Sequence, residues 1–279
     1  MNAGMTEQIP QAATLLLLRP GAADSTPEVF TITRADSLVF SAGVSAFPGG
    51  RVDAADSLPA DLWQGISLTA WGRQLDLPAQ EAATLLACVV RETFEETGIL
   101  LARDDEGAPA DASLLASLPG DTRQRIEEHD LDFGAFLRQH RLRPDVGTLR
   151  PMSRWITPAG HPRRYDTYFF LAAMPEHQAP GELSFEGAAS RWTTAQEALT
   201  DFRAGVHQLM PPTWAQFRSL LGVASVDSAL AAESVSTPIT PRVSDGSFGT
   251  VADFPGHTDY AQDHTEWMAA RGTSDYGGR

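Results

Sequence analysis

The sequence contains no lysine, so all 21 of its basic residues are arginines. This absence excludes enzymes that depend on a Schiff-base lysine and nucleotide-binding loops that depend on a lysine. The single cysteine, Cys88, excludes an internal disulfide and any metal site built from several cysteines. Because Cys88 lies among Ala, Leu and Val, we expect it to be a small buried apolar residue.

Positive charge is scarce: 36 acidic residues outweigh the arginines and give a net charge of −15. Such a surface disfavours nonspecific binding to nucleic acid or to anionic membranes. The first residues lack the basic segment and apolar run of a signal peptide, and the LLLL run at 15–18 is too short to span a bilayer. These features predict a cytoplasmic protein without nucleic-acid or membrane partners, and they leave a homodimer open.

Hydrophobic patterning predicts an α/β domain over residues 12–224, preceded by a flexible N-terminus at 1–11. Within the domain, the mixed composition of residues 51–80, with two tryptophans, predicts an inserted helical segment. After this domain, residues 225–279 are rich in small and polar residues without sustained periodicity, which predicts a mostly disordered, low-complexity tail. The EWMAA segment near the end could dock on the domain or on another chain.

Three glutamates stand close together in the stretch RETFEETGILL, residues 91–101. At helical spacing, Glu92 faces both Glu95 and Glu96, on the side opposite an apolar stripe. Without a partner, this crowding costs free energy or forces protonation. A hard divalent cation such as Mg²⁺ or Mn²⁺ relieves it, and Arg91 can orient one of the carboxylates. Taken alone, the cluster is also typical of a solvated acidic helix face.

In its context, the stretch resembles the signature of the Nudix hydrolases: Gly, five residues, Glu, seven residues, Arg-Glu, a hydrophobic residue, any residue, Glu-Glu, any residue, Gly. FPGG supplies the first glycine at Gly50, and RETFEETGI supplies the second half. Gly50 and Arg91 lie 41 residues apart, whereas the signature places them 14 apart. The Nudix box, the segment that matches this signature, is therefore interrupted by 27 extra residues. Counted back from Arg91, the first glutamate of the signature would fall at position 83, which is Ala83. Glu81 is near this position but out of register. Thr93 replaces the hydrophobic residue that usually follows the Arg-Glu pair.

The interrupted box is similar to that of a Nudix subgroup of peroxisomal coenzyme A diphosphatases and their actinobacterial relatives. FPGGRVDAAD, the aromatic strand RRYDTYFF and the proline pair in LMPPTWAQFRSL carry this resemblance, which runs from about residue 12 to 221. It implies a Nudix-type α/β/α sandwich with a mixed sheet and one helical insertion. It also implies a small-molecule nucleotide substrate.

The resemblance assigns roles to acidic residues. Glu92, Glu95 and Glu96 would hold Mg²⁺ or Mn²⁺, which would polarise a diphosphate and lower the pKa of a bound water. Glu95, Glu96 or Glu186 would act as the base, and Arg91 would orient the carboxylates.

Five further residues are expected to bind the substrate. Gly49 and Gly50 would let the backbone approach a phosphate or metal. Arg34, Arg163 and Arg164 could contact phosphate oxygens bidentately.

By this resemblance, we expect hydrolysis of coenzyme A or acyl-coenzyme A to 3′,5′-adenosine diphosphate and the phosphopantetheine half. ADP-ribose or a dinucleotide is the alternative substrate. A further alternative is a Nudix-like module that senses a nucleotide without cleaving it. The missing glutamate at Ala83 favours this alternative. The intact Arg91-Glu92 and Glu95-Glu96 pairs argue against it. An acidic scaffold that works through its tail has only composition in its favour.

Overall fold

The computed structural model describes residues 9–22, 24–33, 43–183, 189–233, 237–243 and 251–272. In chain order the strands are β1 (Gln11–Pro20), β2 (Pro27–Thr33), β3 (Val44–Ala46), β4 (Gly49–Arg51), β5 (Ala102–Arg103), β6 (Arg143–Pro144), β7 (Arg150–Ile156), β8 (Asp166–Ala173), β9 (Ala189–Thr194), β10 (Gln208–Leu209), β11 (Arg242–Val243) and β12 (Val251–Ala252). The helices are α1 (Leu68–Leu75), α2 (Ala79–Thr97), α3 (Ala112–Ser117), α4 (Thr122–Glu127), α5 (Phe133–Gln139), α6 (Ala195–Arg203), α7 (Pro211–Ser219), α8 (Val226–Leu230) and α9 (His257–Ala270). No helix within these ranges has both the length and the apolar character needed to cross a membrane.

An eight-stranded mixed sheet forms the middle layer. Its main order is β10-β3-β2-β1-β8-β7, with β4 also paired to β1 and β9 to β2. The central strand β1 runs parallel to β8 and antiparallel to β2. Because successive side chains of a strand point to opposite faces, Leu15 and Leu17 enter one core while Leu16 and Leu18 enter the other. The predicted α/β/α sandwich with a mixed sheet is confirmed.

The first core lies between the sheet and α2. A 3₁₀ turn at Ala54–Asp56 precedes the inserted segment, which covers this core with a second 3₁₀ turn, Ala60–Trp63, and with α1, which packs on α2. Trp63 of the insertion is buried in the same core, and Cys88 of α2 is fully buried as expected. The insertion is therefore helical, as predicted, and is integral to the core.

The second core lies on the opposite face of the sheet, under α6, α7 and α9. The described parts of the stretch after Ala224 are folded there, which differs from the disordered tail that the composition predicts. Tyr260 and Trp267 of α9 are buried in this core, and the Trp214 indole donates a hydrogen bond to Asp263 of α9 at 2.8 Å. The composition misled because two aromatic residues, seven positions apart on one helix face, bury a large area in an otherwise polar segment.

We predict that Trp267→Ala lowers the free energy of unfolding by about 3–5 kcal/mol, because truncating a buried tryptophan leaves a cavity in the second core. Glu266→Ala, at the exposed neighbouring position, should change it by no more than about 0.5 kcal/mol. Urea denaturation of both variants measures the difference. Equal, small effects would mean that α9 contributes nothing to this core.

Candidate active site

Helix α2 carries the glutamates, and it is covered on both of its sides. Val90 and Phe94 of the apolar stripe are buried against the first core, as predicted. Glu95 and Glu96 are buried too, with only 3% and 7% of their surface exposed. The alternative interpretation, a solvated acidic helix face, does not hold, because β4 and the 3₁₀ turn Ala54–Asp56 pack over that side of α2.

Strand β4 approaches the carboxylates so closely that only glycine fits. The Gly49 N–H donates to Glu96 Oε2 at 2.9 Å. Gly49 has φ of 150°, and a Cβ there would clash with the carbonyl oxygen of Ala13. A Cβ on Gly50 would collide with the carboxylate of Glu92. Glycine is thus required at both positions, at Gly49 by β1 and at Gly50 by Glu92, and the predicted approach of this backbone to a phosphate or metal stays a prediction.

Arg91 is buried, with 3% of its surface exposed, and contacts three carboxylates. Its Nε and Nη2 donate to the two oxygens of Asp56 at 2.8 and 3.1 Å, and its Nη1 donates to Glu95 Oε2 at 2.8 Å. Its Nη2 also lies 3.0 Å from Glu92 Oε1. Burial opposes the charge on Arg91, but Asp56 and Glu92 outweigh it and raise the pKa of the guanidinium further.

Asp56 supplies the first acidic residue of the interrupted signature, which the count from Arg91 had placed at Ala83. Asp56 follows Gly50 by six positions, as the signature requires, and it is fully buried. The extra residues therefore lie after Asp56, and counting back from Arg91 crossed them. Ala83 is a buried core residue, and Glu81 is exposed on the first turn of α2.

The buried group around Arg91 contains more negative than positive charge, because several carboxylates surround one guanidinium. Burial raises the pKa of Glu95 to about 7; the nearby Arg91 opposes this shift and Glu92 adds to it. Burial also raises the pKa of Glu92. Glu95 Oε1 is buried without a hydrogen-bond partner among the described residues. This oxygen is therefore positioned to take a ligand or hold a proton.

A cavity of about 240 Å³ opens over the glutamates. Its walls are Arg51, Asp53, Arg91, Glu92, Glu95, Glu96, Glu127 and His129. Glu127 ends α4, and His129 follows in a left-handed turn with its Nε2 4.0 Å from Asp53 Oδ1. Sequence reasoning missed both residues, since the run EEHD at 127–130 has no fixed spacing to the signature.

Among the predicted arginines, Arg163 and Arg164 do not line this cavity. Arg163 is exposed and Arg164 donates through Nε to the Thr157 carbonyl at 3.1 Å, both in the loop between β7 and β8. Arg34 and Glu186 lie outside the described residues. The roles assigned to these four residues stay predictions.

The side chains of Glu92, Glu95 and Glu96 suit a hard divalent cation, because they offer carboxylate oxygens. One of these, Glu95 Oε1, has no hydrogen-bond partner among the described residues. Within the part of the chain that the structure describes, no three His, Cys, Asp or Glu side chains converge as a preformed cation site. The glutamates instead turn toward Arg91 and toward the Gly49 N–H. Cation binding would therefore require small rotations of these side chains.

The geometry of the site matches a known family. A family model described as the NUDT19 Nudix domain matches residues 72–220, more than half of the chain. The chain belongs to the Nudix hydrolases. Members of this family generally use divalent metal ions.

Several Nudix proteins are similar over most of the chain. An acyl-coenzyme A diphosphatase NUDT19 from Gallus gallus is 30% identical, over 91% of this chain and 80% of that protein. The protein of the same name from Homo sapiens is also 30% identical, over 67% of this chain and 58% of its own length. The crystal structure of a Nudix hydrolase from Alicyclobacillus acidocaldarius is 29% identical and superposes with a TM-score of 0.67, covering 84% of this chain and 100% of that one. This Nudix chain is thus a hydrolase with the family fold.

We predict that Asp56→Asn lowers the free energy of unfolding by about 3 kcal/mol, because it removes one partner of a buried ion pair. The matched control is Asp61→Asn, which removes the partner of Arg138 in an exposed pair. That change should cost at most about 1 kcal/mol. Urea denaturation compares the two variants, and equal losses would contradict the structural importance of the Arg91–Asp56 pair.

We predict that the metal-free protein loses stability as pH rises toward 7. The folded state holds a proton on Glu95 up to about pH 7, whereas the unfolded chain releases it near the ordinary value of 4.5. The folded state binds more protons in this window, so the free energy of unfolding falls by roughly 1 kcal/mol per pH unit and levels off above the folded pKa. Glu95→Gln should flatten this slope, and Glu81→Gln should not. Urea denaturation in a chelator at about pH 5.5 and about pH 7.5 measures the slope, and an unchanged slope in Glu95→Gln would contradict the assignment.

Proposed function

We propose that the chain hydrolyses the diphosphate of coenzyme A and acyl-coenzyme A, giving 3′,5′-adenosine diphosphate and phosphopantetheine or its acylated form. The observation that carries this proposal is the carboxylate cavity around Arg91, bordered by the glycines of β4, on a Nudix scaffold. The relatives named acyl-coenzyme A diphosphatase support the choice of substrate. One water adds across the P–O–P bond, so each product keeps one of the two phosphates as a new monoester, and the adenosine half also keeps its 3′-phosphate.

Glu92, Glu95 and Glu96 are the residues that would hold Mg²⁺ or Mn²⁺. A cation bound there supplies charge neutralisation on the diphosphate and lowers the pKa of a nearby water. Arg91 orients Glu92 and Glu95 through its hydrogen bonds, and the Gly49 N–H orients Glu96. These contacts hold the carboxylates next to one another, and small rotations from them would bring the oxygens onto a cation.

Glu95 is the base that the described residues favour. Its pKa of about 7 matches the protonation change that a general base undergoes near neutral pH. Its Oε2 is held by Arg91 while its Oε1 has no hydrogen-bond partner among the described residues, so one oxygen positions the group and the other can accept a proton. Glu186 remains the alternative base.

The substrate brings several negative charges to a protein that is itself strongly acidic. Arg51, at the end of β4, is exposed and lines the cavity, which places a cation at its mouth. We assign Arg51 to the substrate phosphates in addition to Gly49 and Gly50. Homodimerisation and cytoplasmic location stay predictions.

The test is product analysis after incubation with coenzyme A, ADP-ribose and NADH separately, with and without Mg²⁺ or Mn²⁺. Metal-dependent release of 3′,5′-adenosine diphosphate from coenzyme A is the expected result. Cleavage of only ADP-ribose or NADH would support diphosphate hydrolysis but would overturn the assignment of coenzyme A as the substrate. Nucleotide binding without any cleavage would favour a sensor.

We predict that Glu96→Gln lowers kcat/KM for coenzyme A by roughly 10²- to 10³-fold, because it removes a carboxylate that would hold the cation and so weakens the positive charge that stabilises the transition state. Glu81→Gln changes the same side chain on the exposed first turn of α2 and should retain activity. Thermal unfolding of both variants is recorded alongside, since Glu96 is buried. Full activity in Glu96→Gln would contradict its place in the metal site.

A further inference from the structure

A second cavity, of about 360 Å³, lies beside the carboxylate cavity. It is enclosed by the end of α2, by α3, by the start of α4 and by residues 178–181. Its volume lies within the roughly 300–1,000 Å³ that is typical of small-molecule sites. Apolar side chains form much of its wall, among them Phe94, Leu115, Ala116, Leu118 and Pro119.

The long polar side chains on this wall are already engaged. The Gln178 amide accepts from Leu100 N at 2.9 Å and donates to two backbone carbonyls at 3.1 Å. Arg123 donates from Nη2 to the Glu182 carbonyl at 2.6 Å and from Nη1 to the Glu95 carbonyl at 3.4 Å. A ligand in this cavity therefore meets mainly carbon, which favours an alkyl group over a base, a sugar or an amide.

Helix α3 forms one side of the cavity, and none of its residues is buried. Leu115 of this helix and Leu118, which follows it, both line the cavity and are only half-buried, although they pack at the edge of the first core. Partly exposed leucines in a concave site are a feature of apolar ligand binding.

The two cavities share two helices. On α2, Phe94 lines the second cavity and the adjacent Glu95 lines the first. On α4, Arg123 lines the second cavity and Glu127 lines the first, which separates the two by about 6 Å along the helix axis. The pantetheine arm of an acyl-coenzyme A is longer than this separation, so it would have to fold back for the acyl end of a substrate bound at the glutamates to enter the apolar cavity.

We infer that this second cavity receives the acyl chain of an acyl-coenzyme A substrate. The inference rests on the proposed function, because it places the diphosphate at the glutamates. The nucleotide and the amides of the pantetheine arm need several polar partners, whereas on this wall the Gln178 amide is bonded to the backbone and Arg123 already donates to two backbone carbonyls. The acyl chain needs none, and its burial favours acylated substrates over free coenzyme A.

The test compares kcat/KM for coenzyme A with that for hexanoyl-, octanoyl- and dodecanoyl-coenzyme A. In the wild-type enzyme, kcat/KM should rise by about fourfold per methylene until the cavity is filled. Ala116→Trp places an indole in the cavity and should lower the ratio of dodecanoyl-coenzyme A to coenzyme A hydrolysis at least about tenfold. The control is Ser117→Trp, because Ser117 is on the same helix, is exposed and is not part of the cavity wall. In this variant the ratio of dodecanoyl-coenzyme A to coenzyme A hydrolysis should match that of the wild type.

Two results would overturn the inference. One is a wild-type kcat/KM that does not depend on chain length, which needs no variant to fold. The other is an Ala116→Trp ratio equal to that of Ser117→Trp. Failure of the proposed function is distinguishable, because then neither coenzyme A nor its acyl derivatives would be cleaved while ADP-ribose or NADH would be.

Discussion

The buried guanidinium of Arg91 is the interaction on which the site depends. A cation taken out of water is costly unless its donors are paired, and Arg91 pairs them with Asp56, Glu92 and Glu95. Those three carboxylates come from two different elements, so the ion pairs join the 3₁₀ turn after β4 to the last turns of α2. Removal of Arg91 would leave several buried negative charges that repel one another.

The insertion does more than lengthen the chain. It begins after Asp56, so Asp56 keeps its distance from Gly50, and the added helix α1 then returns the chain to α2. The glutamate side of α2 is covered by β4 and by the 3₁₀ turn Ala54–Asp56, which precede the insertion and remove water from the carboxylates. That loss of water is the main cause of the raised pKa of Glu95, which makes this carboxylate suited to gain and lose a proton near neutral pH.

Helix α4 connects recognition with chemistry. Arg123 in its first turn holds the backbone at the end of α2, and Glu127 in its last turn faces the carboxylates. An alkyl group in the second cavity and a diphosphate in the first would therefore contact the same short helix. Binding of the apolar end of such a substrate would therefore help to position its diphosphate.

The sequence by itself determined the features that depend on near neighbours. The helix carrying Glu92, Glu95 and Glu96 and the apolar stripe on its opposite side follow from spacings of three and four residues. Only the tertiary structure decided that Asp56 pairs with Arg91, that the cavity gains Glu127, and that the described part of the stretch after Ala224 folds. These outcomes depend on contacts between residues far apart in the chain, and no local spacing encodes which distant residues will meet.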